Sequence, residues 1–428
     1  MLKFISFFIL LILFTGCSQK QPTKENIDDL STISQNPRTH LNKQYFIQLP
    51  KQNTLNKNYN TKYFKPWELQ SLNTSKSEAM WGFGYANRVT YGQNYKKHSS
   101  NWFNDLKDNA NFEKYNTYLT KAITVKNANM RVLPTDKPIF LDPTEAGEGF
   151  PFDYNQNSAV YINTPIFISH LSRDRAWAYV ATNFAMGWIK TEHIATLDLA
   201  KRRFFQNSYY GVAFKENFPI YDEQNNFIEY IKLGTIFPVY KGKLLVATKD
   251  KGLKGRILYT SSKHIYKKPI PFNKTTLNKA LNELKNEPYG WGGLYNTRDC
   301  SSMTRDLFSL FGLYLARNSA GQKYGGEYLS LKDLSNEEKK KKILELAKPF
   351  TTIIYLKGHV MLYVGKEKGE PIIFHQVWGV RTLLNDIPGR FVIGKSAFTT
   401  IEPGKELSTF DPKSSILTKV EGLIQLAP

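Results

Sequence analysis

The sequence predicts an α+β protein of several domains, in which small β-barrels lead into a final domain of helices followed by antiparallel strands. Three observations predict it. The chain has 428 residues, too many for one hydrophobic core and enough for about three or four domains. Hydrophobic residues make up 41% and aromatic residues 14%, with Tyr and Phe abundant, which is the composition of a folded, strand-rich protein. From Ala122 to Lys268 short apolar runs recur with turns about every 8–12 residues, whereas beyond Thr275 helical spacing comes first and strand runs follow.

The chain opens M-L-K-F-I-S-F-F-I-L-L-I-L-F-T-G-C. One lysine precedes an apolar run too short for a comfortable membrane span, and Phe-Thr-Gly precedes Cys17. Residues 1–17 have the form of a bacterial lipoprotein signal, cleaved before Cys17, which is then acylated; the alternative is an uncleaved signal anchor. Either places the protein in the cell envelope as a membrane-anchored chain facing the periplasm or the outside. Residues 18–43 are polar and lack Phe, Tyr and Trp, as a flexible tether would be. The net charge of +21 is spread along the chain, with one local run, N-E-E-K-K-K-K, from Asn336 to Lys342. In an exported protein this disfavours nucleic acid and suits anionic headgroups or wall polymers, although a solvated basic surface accounts for it equally.

Residues 44–120 are mixed. Y-F-K-P-W (Tyr63 to Trp67) reads as an extended clip with an aromatic anchor, residues 75–83 and 101–119 read as short helices, and Trp67, Trp81 and Trp102 read as packing residues. Residues 121–200 carry I-T-V, M-R-V-L-P-T, A-V-Y-I-N-T-P-I-F-I-S-H, A-W-A-Y-V and G-W-I, the rhythm of a small barrel. Residues 201–270 repeat that rhythm without repeating its residues, and K-K-P-I-P-F-N (267–273) marks a boundary. The last domain, 271–428, reads as a helix near 275–286, a helix after Cys300, charged helical sequence at 334–346, and strands at 351–356, 359–364, 371–376 and 391–394.

Residues 289–302 read Y-G-W-G-G-L-Y-N-T-R-D-C-S-S. Met303, Leu307, Phe308, Leu310 and Phe311 follow at helical spacing, so Asp299 is an N-cap and Cys300 lies in the first turn. There the helix dipole and free backbone N–H groups favour thiolate. The other reading is a buried, inert thiol. Cys17 and Cys300 are the only two cysteines, which leaves no disulfide framework. A lone thiol kept in an exported protein points to use. His359 opens one strand and His375 ends the next, and a hairpin through K-E-K-G-E (366–370) makes those strands neighbours, so the two rings can be close. A thiol at a helix N-terminus with an imidazole base, oriented by a second polar group, is the minimum for attack on an amide. His40, His98, His170, His193 and His264 have no such context. No C-x-x-C or H-E-x-x-H occurs, so neither a metal nor another cofactor is expected.

Y-G-W-G-G…D-C-S-S, R-N-S-A-G-Q (317–322), G-H-V-M-L-Y-V-G and F-H together resemble the NlpC family of bacterial cell-wall cysteine peptidases. The closest likeness is to members with two bacterial SH3-like barrels. M-R-V-L-P-T, P-F-D-Y-N-Q-N-S, Trp177 and Trp188 are similar to the first barrel of that group, Y-F-K-P-W to its N-terminal clip, and I-E-P-G-K-E-L (401–407) to its C-terminal stretch. The resemblance implies an α+β, papain-like catalytic domain preceded by two SH3-like β-barrels and a clip domain. It also implies a monomer that hydrolyses the γ-D-glutamyl–diamino acid bond of peptidoglycan stem peptides bearing a free N-terminal L-Ala. Cys300 would be the nucleophile, His359 the base and acid, and His375 the orienting third member. The Cys300 amide and Tyr289 would stabilise the oxyanion. Asp299 would meet the substrate amine, and Ser301, Arg317 and Ser319 would hold the D-glutamate carboxylate. Asp153 and Glu192 are candidates for a barrel residue sharing that amine. The chain departs from the family at Ser302, where glycine is usual, and by a shorter loop between Tyr289 and Cys300. Other readings are a wall amidase or acyltransferase using the same thiol, and a non-catalytic, lipid-anchored wall-binding protein.

Overall fold

The computed structural model describes residues 26–206 and 209–427. The leader and Cys17 lie outside the described residues. Residues 26–43, expected as a tether, instead fold against the last sheet. Short helices Asp29–Thr32 and Pro37–Lys43 bury Ile27, His40 and Leu41, and Gln35 bonds both backbone groups of Phe398. Few apolar side chains suffice here because the contact is made largely by hydrogen bonds to a strand edge.

Y-F-K-P-W is not extended either. Tyr63 ends the helix Gln52–Tyr63, and Pro66 sits in the first turn of a 3-10 segment, Lys65–Trp67. Its anchoring role holds: Trp67 Nε1 donates to the Ala122 carbonyl at 2.7 Å and the Tyr63 hydroxyl to the Asn163 carbonyl at 2.8 Å.

The first SH3-like unit is a seven-stranded antiparallel sheet in the order Gln156–Val160, Ala128–Arg131, Met186–Lys190, Trp177–Ala181, Pro165–Leu171, Thr120–Thr124, Ile194–Thr196. Alternation sends Ile166, Ile168, Val180 and Ile189 to its own core. Phe167, Trp177, Tyr179 and Trp188 go to the other face, against Leu72 and Phe112 of the N-terminal segment. The second unit combines a five-stranded sheet with the hairpin Phe218–Tyr221/Phe227–Ile231 around Phe218, Ile231, Phe237 and Val246.

The last unit is α+β. Its six antiparallel strands run in the order Glu327–Ser330, Val420–Gln425, Thr352–Leu356, His359–Glu367, Glu370–Leu384, Ile387–Thr400. One face of the sheet packs Leu362, Phe374 and Phe398 on Leu281, Met303 and Leu307 from the helices Lys274–Leu284 and Cys300–Leu310. The other packs Met361, Ile373 and Leu423 on Ile343 of the helix Asn336–Leu346. The strands expected at 371–376 and 391–394 are the halves of a much longer hairpin, closed by Asn385 and Asp386, both at positive φ.

Arg298 ties the three units together. It is fully buried and bonds Glu287 and Asp306 at 2.8 Å each, Glu216 at 3.1 Å and the Leu233 carbonyl at 3.1 Å, while Tyr161 of the first unit donates to Asp306 at 2.7 Å. Lys232 shares Glu216 and Glu287, and Arg305 shares Asp306, so the network balances buried charges of both signs and losing Arg298 would leave the carboxylates short of a partner.

Candidate active site

The helix Cys300–Leu310 begins with a closed capping box. Asp299 accepts from the Ser302 amide at 2.8 Å, and the Asp299 amide donates to the Ser302 hydroxyl at 3.0 Å. Ser302 thus reciprocates the cap. Cys300 is the first helical residue, as expected. Upstream, Gly292 has φ 60° and lies so close to the first barrel that a Cβ would meet the Gln156 carbonyl; Gln156 Nε2 donates to the Gly292 carbonyl at 3.2 Å.

Cys300 lies where two cavities meet. One, of about 500 Å³, is lined by Asp299, Ser301, Arg317 and Ser319, with Tyr154, Gln156 and Asn157 from the first barrel. The other, of about 360 Å³, holds Tyr289, His359 and Trp378 with Lys357, Arg381, Arg390 and Lys419. All the site residues singled out in the last domain, apart from the buried His375, therefore line one of the two. Asp153 and Glu192 line neither. Asp153 is buried in an ion pair with Arg131 at 2.8 Å, and Glu192 sits on the far turn beside Lys190. The sequence reading missed Gln156 and Asn157, whose signal was the P-F-D-Y-N-Q-N-S string itself.

The first-turn N–H groups expected to favour thiolate are opposed in the free cleft. Burial, and then the adjacent Asp299 carboxylate, push the Cys300 thiol up to about 12, against the opposing pull of the Val360 and Ser301 N–H groups and Arg317. Burial likewise lowers His359 to about 4 and holds His375 well below the usual histidine range, helped by His359 beside it. Both shifts run towards the uncharged forms, a thiol and a neutral imidazole.

His359 Nε2 lies 3.0 Å from His375 Nδ1, and His375 Nε2 lies 3.2 Å from the Thr399 hydroxyl. This occupies Nε2 of His359 and leaves Nδ1 as the atom with which that ring can take a proton. On the other side, Arg317 donates to Asp299 Oδ1 at 3.1 Å and Oδ2 at 2.8 Å, to Ser301 at 3.1 Å and to Ser158 of the first barrel at 2.7 Å. Burial raises the Asp299 carboxyl, but the Arg317 charge and the Arg317 and Ser302 hydrogen bonds outweigh it and hold the group below its ordinary value. The hydroxyl of Tyr289 is kept protonated by burial and by Cys300 and Asp299 nearby. Among the described residues no group of three or more His, Cys, Asp or Glu side chains could hold a metal ion, and no helix is long and apolar enough to cross a membrane.

Sequence profiles match four parts of the chain: an NLPC_P60 stabilising N-terminal domain over residues 6–115, an SH3 domain of the SH3b1 type over 138–190, an SH3 domain of the SH3b2 type over 200–243, and the NlpC/P60 family over 286–380. Residues 286–380 thus form an NlpC/P60 domain, behind two SH3 domains and an N-terminal stabilising domain. Among solved structures, an NlpC/P60 endopeptidase from Photobacterium damselae subsp. piscicida is similar at a TM-score of 0.82 and 26% identity, over 92% of this chain and 97% of that one. An NlpC/P60 family protein from Bacillus cereus ATCC 10987 matches at a TM-score of 0.46 and 13% identity, over 72% of this chain and all of that one. No curated protein matches the chain. The NlpC/P60 match spans Cys300, His359 and His375.

Proposed function

We propose that this NlpC/P60 protein is a cysteine peptidase of the cell envelope that cuts the γ-D-glutamyl–diamino acid bond of peptidoglycan stem peptides bearing a free N-terminal L-Ala. The observation that carries the reading is the His359–His375 contact of 3.0 Å beside a cleft that both Cys300 and His359 line. The Cys300 proton passes to His359 Nδ1 as the sulfur attacks the γ-carbonyl carbon, so charge separates only during attack. The Cys300 amide and the Tyr289 hydroxyl stabilise the oxyanion. His359 returns the proton to the leaving amine, which departs and leaves a thioester. Water, deprotonated by His359, then releases the γ-carboxylate and restores the thiol.

The Asp299–Arg317 pair suits the zwitterionic end of L-Ala-γ-D-Glu: the alanine ammonium beside Asp299, the D-glutamate carboxylate beside Arg317, Ser301 and Ser319. Gln156, Asn157 and Tyr154 of the first barrel line the same cavity as Asp299, a wall that would limit what the substrate carries beyond its amine. On the leaving side Lys357, Arg381, Arg390 and Lys419 favour a diamino acid that carries an extra carboxylate, as diaminopimelate does and lysine does not. The F-T-G-C string supports a lipid anchor at Cys17 and a periplasmic or external location.

The test is mass spectrometry of products from L-Ala-γ-D-Glu-meso-diaminopimelate. The reading expects L-Ala-γ-D-Glu and free diaminopimelate from the native chain and neither from Cys300→Ala. Release of L-Ala, or turnover by Cys300→Ala, rejects it.

A further inference from the structure

Resting on the catalytic reading above, a further role falls to Thr399. Its hydroxyl carries one proton, and that proton is committed: Oγ1 lies 2.7 Å from the Thr400 carbonyl oxygen, which can only accept. Towards His375 Nε2, at 3.2 Å, the same oxygen must therefore act as acceptor. His375 then carries its proton on Nε2 and a lone pair on Nδ1. That lone pair accepts from His359 Nε2 across 3.0 Å, so His359 in turn carries its proton on Nε2 and a lone pair on Nδ1. This is the tautomer that can receive the thiol proton. In the opposite arrangement every proton in the chain is reversed, and His359 carries an N–H at Nδ1 in place of the lone pair. Thr399 and His375 are both fully buried, so no solvent is at hand to take the hydroxyl's place.

We propose that Thr399 is a positioning residue which selects the tautomers of His375 and, through it, of His359. The backbone on each side of it is held by the N-terminal segment. Gln35 bonds the amide and carbonyl of Phe398 at 3.0 and 2.8 Å, and Asp29 accepts from both the amide and the hydroxyl of Thr400 at 2.8 Å each. The Thr400 carbonyl that receives the Thr399 proton is thus fixed in place by residues more than three hundred and fifty positions earlier in the chain.

The test uses the full chain with histidine ring nitrogens labelled with 15N, and compares the native protein with Thr399→Val and Thr399→Ser. The proposal expects protonated Nε2 on both His359 and His375 in the native protein and in Thr399→Ser, and a mixture of tautomers in Thr399→Val. On the tripeptide, kcat should fall about tenfold to a hundredfold in Thr399→Val with KM unchanged, and return in Thr399→Ser. A native spectrum with Nδ1 of either ring protonated overturns the proposal, even if the valine variant does not fold. So does a folded Thr399→Val with native tautomers and native kcat. The spectrum needs no turnover, so failure of the tautomer assignment is distinguishable from failure of the peptidase reading, which shows as an inactive native chain.

Discussion

Arg317 grips Asp299 with both terminal nitrogens, at 3.1 and 2.8 Å, at the residue that immediately precedes Cys300. The pair is buried, and Asp299 at the same time caps the helix that carries the thiol. Arg317→Met should therefore cost about 3 kcal/mol of unfolding free energy, because it leaves a largely buried carboxylate without its counter-charge. Because the Asp299 pKa is depressed, its stabilisation is present above the ordinary carboxylate range and is lost as pH falls through the lower folded value. Urea unfolding from pH 6 down to pH 2 should show native stability declining late, and an unchanged midpoint in Arg317→Met would reject the assignment.

The Cys300 thiol, pushed up to about 12, should be nearly inert in the free protein. Alkylation by iodoacetamide is expected to be slow at neutral pH and to keep rising beyond the point, about pH 9, where an ordinary thiol levels off. A plateau near neutrality would mean that a thiolate–imidazolium pair already exists at rest.

His359, lowered to about 4 by burial, stays neutral and able to accept a proton throughout the neutral range. The sign follows directly: activity that needs the neutral ring is present above the folded pKa and disappears as pH falls through it. The acid limb of kcat/KM on the tripeptide should lie near 4, and a limb near the ordinary histidine value of about 6.5 would contradict it.

Arg390 Nε is buried without a hydrogen-bond partner among the described residues, on the leaving side of the cleft. Arg390→Met should raise KM about tenfold for the diaminopimelate tripeptide and leave the lysine tripeptide nearly unchanged, the loss expected of one charge-assisted hydrogen bond. Steady-state kinetics on the two substrates decides it; equal effects on both would remove the specificity role.

What could be read from the sequence was what local pattern encodes. Asp299, Cys300 and the apolar series from Met303 announce a capped helix, and the period-two runs announce strands. Trp177 and Trp188 were correctly placed in the first barrel, although they face the N-terminal segment rather than the barrel's own core. The balance at Cys300 was not legible because the dipole argument is local, whereas burial is contributed by strands some sixty residues further on. Arg298 gave no signal either: it sits one residue before the cap, and its partner at Glu216 and its contact at Leu233 come from another unit. The fold of residues 26–43 was hidden because hydrogen bonds to a distant strand leave no apolar periodicity behind.

The strand Ile387–Thr400 is the last in its sheet, and Gln35 and Asp29 occupy the rim that it would otherwise offer to another chain. A version trimmed to start beyond Lys43 would expose those amides together with the apolar patch under Leu41, a template for ribbon-like self-association. The same arrangement sets an order of events. Residues 26–43 have nothing to dock on until the strand Ile387–Thr400 has emerged, so the two segments reach their final structure together and late.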